Sequence, residues 1–276
     1  MKWKIITDTA CDLPQLDNGE IGFQRIPFVI SIDNTNYVDS DTLDIEDIVS
    51  KMEKSEEVCH TACPGPGSWE EAFEDAEYVF AITISSQLSG SFNSAVIGAN
   101  MALEKDPERK IHVFDSRSTG PEMTMLVHKI VEWIDEGLSY EDICVKGQQY
   151  LDETHLLFAL STFGNLVKNG RMPKIVGFVV GKLRITLVGF ASDAGTIEVV
   201  GKARGDGQIV KKIVNEMKAH NFNGNVVSIC HVMNEKLALR LKDAITKEWS
   251  APVEIMQASG LDSFYAERKG IIIGFH

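Results

Sequence analysis

Several motifs that would fix a function are missing from this chain of 276 residues. There is no G-x-x-x-x-G-K-[ST] sequence, so we expect no P-loop nucleotide site, and no G-x-G-x-x-G follows a strand, which excludes the dinucleotide fingerprint. A G-x-S-x-G sequence is also absent, which argues against a serine hydrolase of the nucleophile-elbow type. The common nucleotide-dependent and hydrolytic enzyme classes are therefore disfavoured.

Positive charge and long apolar runs are scarce. Lysine and arginine number 27 against 40 aspartates and glutamates, which gives a formal net charge of −13. A nucleic-acid surface normally shows a basic face, so we expect no nucleic-acid partner. No apolar run approaches the roughly 20 residues that span a bilayer, so we expect no stable membrane insertion.

Cysteine is sparse as well, with five residues at positions 11, 59, 63, 144 and 230. An odd number at these spacings is not a disulfide framework, and it fits a reducing compartment. The N-terminal sequence MKWKIITDTACDLP has neither a long apolar core nor a small-residue cleavage site, so it does not look like a signal peptide. The prediction is a cytoplasmic monomer.

The order of strands and helices changes near residue 153. Before it, short apolar strands alternate with amphipathic helices, a pattern typical of a mostly parallel sheet flanked by helices. After it, strand–helix units mix with a β-hairpin that turns at 192–195, which indicates a mixed sheet. We therefore predict two α/β domains, 1–153 and 154–276.

Several local predictions bear on the fold. We expect Thr9–Leu16 to turn into a short helix, and Ile21–Ile32 to form one strand whose proline places it at a sheet edge. The Pro/Gly-rich loop CPGPG should end at Ser68, as the N-cap of the next helix. Two long β-prone runs, Lys174–Lys182 and Leu183–Ala191, predict strands in the second domain.

The stretch from Tyr78 to Asn100 has the pattern of a binding turn. A nearly all-apolar strand (YVFAITI) leads into a turn of hydroxyls and one glycine (SSQLSGS), after which apolar residues recur at helical spacing. In such a turn several backbone N–H groups point at one spot, which suits an anion. A plainer alternative stays open, in which Ser89 or Ser91 only caps the helix.

Thr61 begins the Pro/Gly-rich loop that lies between a helix and the strand leading to Ser89. Loops at the carboxyl ends of adjacent parallel strands meet at one sheet edge, so these two residues could present hydroxyl donors to one anion. The N–H of Gly90 and the dipole of the helix from Ser91 would help. Two neutral hydroxyls suit a carboxylate, although they could also only stabilise turns.

Arg171 follows a predicted helix C-terminus in the sequence KNGR. A basic side chain at this place either serves a ligand or only satisfies the last carbonyl groups of the helix. Both readings stay open from the sequence.

Two other groups of side chains offer alternatives. Cys59, His60 and Cys63 could be half of a metal site, but the second pair of ligands is missing, and we predict no metal. A phosphate-ester enzyme could use the turn Ser85–Ser91 as its anion site. It would need a base, and His112 and His60 are the candidates near strand ends. We prefer a binding protein without catalytic residues.

Five segments, taken together, resemble the DegV family. The opening IITDTACDLP (5–14) is similar to that family's I-x-T-D-S-x-x-D-L-P, and TACPGPG (61–67) is similar to its T-S-Q-P-S-P-G loop. SSQLSGSFNSA (85–95) resembles S-S-x-L-S-G-T-Y-x-S-A, FDS (114–116) a strand-end D-S, and KNGR (168–171) the sequence K-G-G-R-I. Each match alone is weak, but their order along the chain makes the set specific.

The resemblance implies two α/β domains that enclose one long-chain fatty acid, such as palmitate, stearate or oleate, in a buried apolar tunnel. It implies that Thr61 and Ser89 hold the carboxylate, with the amide of Gly90 nearby, and that no cofactor is needed. Members of the FakB type carry the lipid and present it to a separate fatty acid kinase. The arginine that matches Arg171 is implicated in that transfer.

The chain also departs from the family's pattern. Ser-Gln after the loop threonine is Ala62-Cys63 here, and the threonine after L-S-G is Ser91. Near its end the family usually has a G-T-H-x-G-P-G run, whose histidine helps the head-group network. The corresponding region here, Asp262–Gly270, has no histidine and lacks those glycines.

Overall fold

The computed structural model describes residues 1–172 and 185–276. Its helices are α1 (Ile45–Lys54), α2 (Pro66–Ala72), α3 (Ser91–Lys105), α4 (Gly120–Asp135), α5 (Tyr140–Glu153), α6 (Gly164–Lys168), α7 (Asp206–Ala219), α8 (Glu235–Trp249) and α9 (Gly260–Ala266). Its strands are β1 (Trp3–Asp8), β2 (Ile21–Ile26), β3 (Val29–Ile32), β4 (Thr35–Val38), β5 (His60–Ala62), β6 (Tyr78–Thr83), β7 (Lys110–Asp115), β8 (His155–Leu160), β9 (Ile185–Ala191), β10 (Ile197–Arg204), β11 (Val227–His231), β12 (Val253–Gln257) and β13 (Ile271–Phe275). The predicted strand Lys174–Lys182 lies outside the described residues.

The first half forms a parallel sheet in the order β2-β1-β6-β7. Its inner strand β6 is buried almost throughout, as expected for an apolar run with helices on both faces. The second half forms a mixed sheet in the order β10-β9-β8-β13-β11-β12, and among these described strands only β11 and β12 pair in parallel. The hairpin predicted at 192–195 joins β9 to β10. The predicted fold class, a parallel and a mixed sheet with flanking helices, is confirmed.

A third, three-stranded sheet, β4-β3-β5, was not predicted. The single strand expected over Ile21–Ile32 is wrong, because β2 ends before Pro27 and β3 begins at Val29 in another sheet. A proline has no N–H to continue the ladder, so the chain changes sheets there. The next N–H, that of Phe28, donates to the hydroxyl of Thr9 at 3.0 Å. The predicted edge position is correct for β2.

Two predicted helix positions are also wrong. Thr9–Leu16 forms no helix, because the Asp8 carboxylate and carbonyl accept the N–H groups of Ala10 and Cys11 in a tight turn. Helix α2 begins at Pro66, with Gly65 as its N-cap, rather than after Ser68. Proline is favoured in the first helical turn because it has no N–H that needs a partner.

Helix α4 belongs to the first half of the chain but packs against β11 and β13 of the mixed sheet. The approach is close, since a Cβ at Gly274 would lie 3.0 Å from the Glu122 nitrogen and from the Pro121 Cβ. All strands of the parallel sheet precede residue 153, and all strands of the mixed sheet follow it. The division into domains 1–153 and 154–276 therefore stays a prediction, with α4 as the element that joins the two sheets.

Helices α2 and α3 pack closely enough to be tested. A Cβ at Gly98 of α3 would lie 2.6 Å from the Trp69 Cβ and 2.7 Å from the Pro66 carbonyl oxygen. We expect G98A to lower the free energy of unfolding by about 1–3 kcal/mol, because two backbones must separate. Urea-induced unfolding measures this. The control is G207A in α7, where the space is open and stability should hold or rise. An unchanged midpoint for G98A would contradict the packing.

Candidate functional site

A cavity of about 320 Å³ lies where the three sheets meet. It is lined by β5, by the turn that precedes α3, by the loop that precedes α4, by β8 and β13, by the β9–β10 hairpin, and by α6 and α9. Loops of the first half therefore face strands of the second half across one space. Its volume is at the lower end of the range for small-molecule sites.

The wall on the mixed-sheet side is apolar. Side chains of a strand alternate between its two faces, and in β8 Leu156, Phe158 and Leu160 face the cavity. The alternate residues Leu157 and Ala159 pack into the core on the other face of the sheet. The sequence of β8 is apolar almost throughout because one of its faces packs into a core and the other lines the cavity.

Ser89 lines the cavity from a turn that is fixed on several sides. The Ser85 hydroxyl donates to the Gly195 carbonyl in the hairpin at 2.7 Å, and the Ser86 N–H donates to Asp115 at 3.1 Å. The Ser89 hydroxyl oxygen accepts the N–H of Ser91 at 3.2 Å. Ser89 therefore helps to cap α3, as the plainer alternative held, and its own hydroxyl proton can still be donated into the cavity.

Thr61 lines the same cavity, but from a strand and not from the loop that the sequence predicted. It lies within β5, opposite Ile30 of the antiparallel strand β3, and not in a loop at the carboxyl end of a parallel strand. The predicted meeting of two such loops at one sheet edge is therefore wrong. The Thr61 hydroxyl lies 2.8 Å from the phenol oxygen of Tyr265 in α9, and the two form a hydrogen bond.

The next two predicted residues are separated by the start of α3. Gly90 lines the cavity as the N-cap of that helix. Ser91 is fully buried behind the turn, where its hydroxyl donates to Asp8 at 2.6 Å, and it is not among the described lining residues. Burial raises the pKa of Asp8 to about 6, although three hydrogen bonds to the carboxylate oppose the shift.

Arg171 also lines the cavity. Its Nε donates to the Leu88 carbonyl at 3.1 Å, and its Nη1 donates to the carbonyl of Asn169, the C-cap of α6. The guanidinium therefore satisfies a helix-terminal carbonyl, as the plainer reading held. It also ties α6 to the turn that carries Ser89.

The sequence reasoning missed Tyr265 and the helix that carries it. Helix α9 begins where the Asp39 carboxylate accepts the N–H groups of Gly260 and Leu261, at 2.8 and 2.9 Å. Asn165 fixes the other end by donating to the Phe264 carbonyl at 2.9 Å. Both partners are distant in the chain. The only signal in the sequence was the departure from the family's pattern in this region.

The comparisons with known proteins identify the family of this chain. Residues 2–271 match the sequence model of the DegV family, whose description is that of an uncharacterised protein family. The chain belongs to the DegV family. A DegV domain-containing protein of Streptococcus pneumoniae strain R6 is 40% identical over 278 residues, which cover 100% of this chain and 99% of the relative.

Solved structures of similar DegV proteins contain fatty acids. The fatty acid kinase B3 protein of Streptococcus pneumoniae, loaded with linoleic acid, is 40% identical with a TM-score of 0.97, over 100% of this chain and 99% of that one. A DegV family protein from Eubacterium eligens, loaded with heptadecanoic acid, is 36% identical with a TM-score of 0.96, over 99% of both chains. One from Ruminococcus gnavus, refined with vaccenic acid, is 30% identical with a TM-score of 0.93, again over 99% of both.

The candidate bases of the enzyme alternative lie away from the cavity of this DegV protein. The two candidate bases are not among the described residues that line the cavity: the His60 ring binds Asn169 at 3.1 Å, and the His112 ring packs edge-on against Phe114. Within 1–172 and 185–276, no three His, Cys, Asp or Glu side chains are grouped to hold a metal ion. In the same residues no helix is long and apolar enough to cross a membrane.

The Asp39 cap can be tested by substitution. We expect D39A to destabilise α9 by about 1–3 kcal/mol for each N–H left without an acceptor. The amides of Gly260 and Leu261 should then exchange with solvent faster, which hydrogen exchange with mass spectrometry measures. D39N keeps one acceptor oxygen and should have an intermediate effect. Unchanged exchange in D39A would show that α9 does not depend on this cap.

Proposed function

We propose that this DegV protein binds one long-chain fatty acid in the cavity. The carboxylate lies at Thr61 and Ser89 beside Gly90, and the acyl chain runs along the apolar wall of β8. The observation that carries the proposal is one cavity that has hydroxyl groups from the first half of the chain and an apolar wall from the second. The fatty acids found in DegV structures that are 30–40% identical support it.

The hydroxyl groups have protons to spare for a carboxylate. Thr61 and Tyr265 are hydrogen-bonded to each other, so one of them donates and the other keeps its proton free for a ligand. The Ser89 oxygen accepts an N–H from the backbone, which leaves its own proton free. The site thus offers two O–H donors, one for each carboxylate oxygen. Tyr265 is therefore part of the head-group site that we propose.

The acyl chain supplies most of the affinity. Each buried methylene contributes about 0.8 kcal/mol, so a chain of more than a dozen carbons needs no strong polar contact to bind. The hydroxyl groups mainly orient the ligand. The related structures hold acids that include heptadecanoic and linoleic acid, and palmitate, stearate or oleate are the ligands that we propose for this chain.

The head-group assignment predicts the effect of removing each hydroxyl. We expect S89A and T61A each to weaken oleate binding about tenfold or more, because a hydrogen bond to a charged group contributes about 1.5–3 kcal/mol. Y265F should weaken binding less, since Thr61 keeps its hydroxyl. Titration of delipidated protein with oleate measures the affinities. T61S keeps a donor, and S86A alters the same turn at a residue that does not line the cavity; both should bind like the wild type.

Extraction of the purified protein with organic solvent, followed by mass spectrometry, tests the function itself. A co-purified long-chain fatty acid in wild-type protein, reduced in the double variant T61A/S89A, is the expected result. Equal lipid in both proteins would contradict the head-group assignment. Turnover of a phosphate ester without any bound lipid would contradict the proposed function and favour the enzyme alternative at the turn Ser85–Ser91.

We further propose that the protein presents the carboxylate to a separate fatty acid kinase. The support is its 40% identity, over the whole chain, to a protein named as a B3 protein of fatty acid kinase. Arg171 lies at the cavity beside the Ser89 turn, where its guanidinium could meet a phosphate or the partner. The chain then acts as a lipid carrier and not as the catalytic subunit.

The role of Arg171 can be separated from lipid binding. With a bacterial fatty acid kinase subunit and ATP, oleate-loaded wild-type protein should yield acyl phosphate. R171A should keep its bound oleate within a few-fold but lose most of this product, because a cation beside the transferred phosphate is missing. Mass spectrometry of the lipid gives the readout. Full phosphorylation in R171A would contradict the assigned role.

We place this function in the cytoplasm and assign it to a monomer. The described cysteines are all free thiols, which suits a reducing compartment. The cavity is built from the two halves of one chain, so one copy suffices to enclose a ligand. Light scattering on the loaded protein tests the monomer, and a dimer mass would contradict it.

A further inference from the structure

Two buried carboxyl groups lie beside the cavity without an adequate partner, and one of them, Asp262, is among its lining residues. Asp12 follows β1 and Asp262 lies in α9, and each is only 4% exposed. One oxygen of each is satisfied: the Ser259 N–H donates to Asp12 Oδ1 at 2.6 Å, and the Thr119 hydroxyl donates to Asp262 Oδ1 at 2.7 Å. Within the described residues, the Oδ2 atoms of both are buried without a hydrogen-bond donor.

These two unpaired oxygens converge on one point. A Cβ placed on Gly120 would lie 2.5 Å from Asp262 Oδ2 and 2.8 Å from Asp12 Oδ2, and Gly120 has a positive φ of 46°. Ionised carboxylates only accept hydrogen bonds, so two of them facing each other in a buried site repel. A single proton between them would satisfy both oxygens and remove one charge. Burial, together with the neighbouring acid, raises the pKa of Asp262 well above its usual range, and burial raises that of Asp12.

The other titratable groups around the pair do not neutralise it. Cys230 of β11 places its thiol, a weak donor, beside the pair, and Cys11 and Asp39 add no positive charge. Arg25 of β2 is the cation near Cys11 and Asp39, but its guanidinium forms an ion pair with Asp41 and donates through Nη1 to the Cys11 carbonyl at 2.7 Å. No described Lys, Arg or His forms an ion pair with either acid. A proton is therefore the positive charge available to the pair.

We propose that Asp12 and Asp262 share one proton, and that this shared proton holds α9 against the first half of the chain so that Tyr265 reaches Thr61. Asp12 is a positioning residue, because it acts on the ligand through α9, whereas Asp262 also lines the cavity. The consequence for ligand binding rests on the proposed function. The shared proton itself does not, since it follows from the convergent oxygens.

The linkage to pH has a definite sign. When α9 moves away, the two carboxyl groups return toward the ordinary pKa of aspartate and release the proton they shared. Opening is thus coupled to proton loss, and rising pH favours it. Between the ordinary aspartate pKa and the raised pKa of the closed pair, the closed state should weaken by up to about tenfold per pH unit.

The variant D262N provides a sharp test. The amide introduced there can donate to Asp12 without any shared proton, so α9 stays closed at high pH. In ligand-free protein we expect hydrogen exchange at Ser263–Glu267, corrected for its intrinsic pH dependence, to rise at least tenfold from pH 6 to pH 9 in the wild type and less than threefold in D262N. D12N, which alters the other acid of the pair, should show the same small rise in exchange as D262N.

The control is E122Q, which alters another buried acid. Burial raises the pKa of Glu122 to about 7, but its partners are Ser118 and Thr154 and not residues of α9. E122Q should keep the wild-type rise in exchange. If hydrogen exchange at Ser263–Glu267 rose equally with pH in the wild type and in D262N, the shared proton would be contradicted. Exchange in the wild type that does not change with pH would contradict it as well.

Oleate binding then tests the link to the ligand. Because Asp12 does not line the cavity, the ratio of D12N affinity to wild-type affinity is the one to measure; it cancels the titration of oleate itself, and we expect it to rise at least tenfold from pH 6 to pH 9. If exchange behaves as expected and this ratio stays constant, the pair holds α9 but does not govern the ligand. If no fatty acid binds at any pH, the proposed function fails while the exchange result for the pair still stands.

Discussion

Asp39 accepts hydrogen bonds from the first two backbone N–H groups of α9, and the polar part of the cavity depends on this contact. A helix of seven residues is too short to be stable alone, so tertiary contacts must hold it. With α9 in place, Tyr265 reaches Thr61 and Asp262 reaches Thr119. The cavity is thus closed by an element whose position is set by side chains from distant parts of the chain.

The buried aspartates differ in the number of hydrogen-bond donors that compensate their charge. Asp8 and Asp39 each accept several hydrogen bonds, and burial still raises the pKa of both to about 6. A buried charge costs less free energy when hydrogen-bond donors surround it. These two acids can therefore link segments that are distant in the chain. Asp12 and Asp262 lack such donors on their facing oxygens. Asp8 and Asp39 are thus held by donated hydrogen bonds, whereas the facing oxygens of Asp12 and Asp262 are held by the shared proton that we propose.

The sequence predicted what local patterns determine and missed what distant contacts determine. The strand–turn–helix at 78–100 was correct because its apolar run, its hydroxyl turn and its helical spacing are all local. Helix α9 was missed because its cap comes from Asp39, and the sheet β4-β3-β5 was missed because short strands pair only in context. Thr61 and Ser89 were brought to one cavity, whereas Ser91 points to Asp8, since successive residues at a helix start face different directions.

Tyr265 places a phenol, and not an imidazole, at the proposed head-group site, and the two groups respond differently to pH. The DegV pattern usually has a histidine in this region, and an imidazole gains a charge when it is protonated near neutral pH. A phenol donates a hydrogen bond to a carboxylate without becoming a cation. The contact with Thr61 therefore does not depend on protonating the group that makes it. A response of this contact to pH therefore arises in the buried acids that hold α9, namely Asp39 at its start and the pair of Asp12 and Asp262.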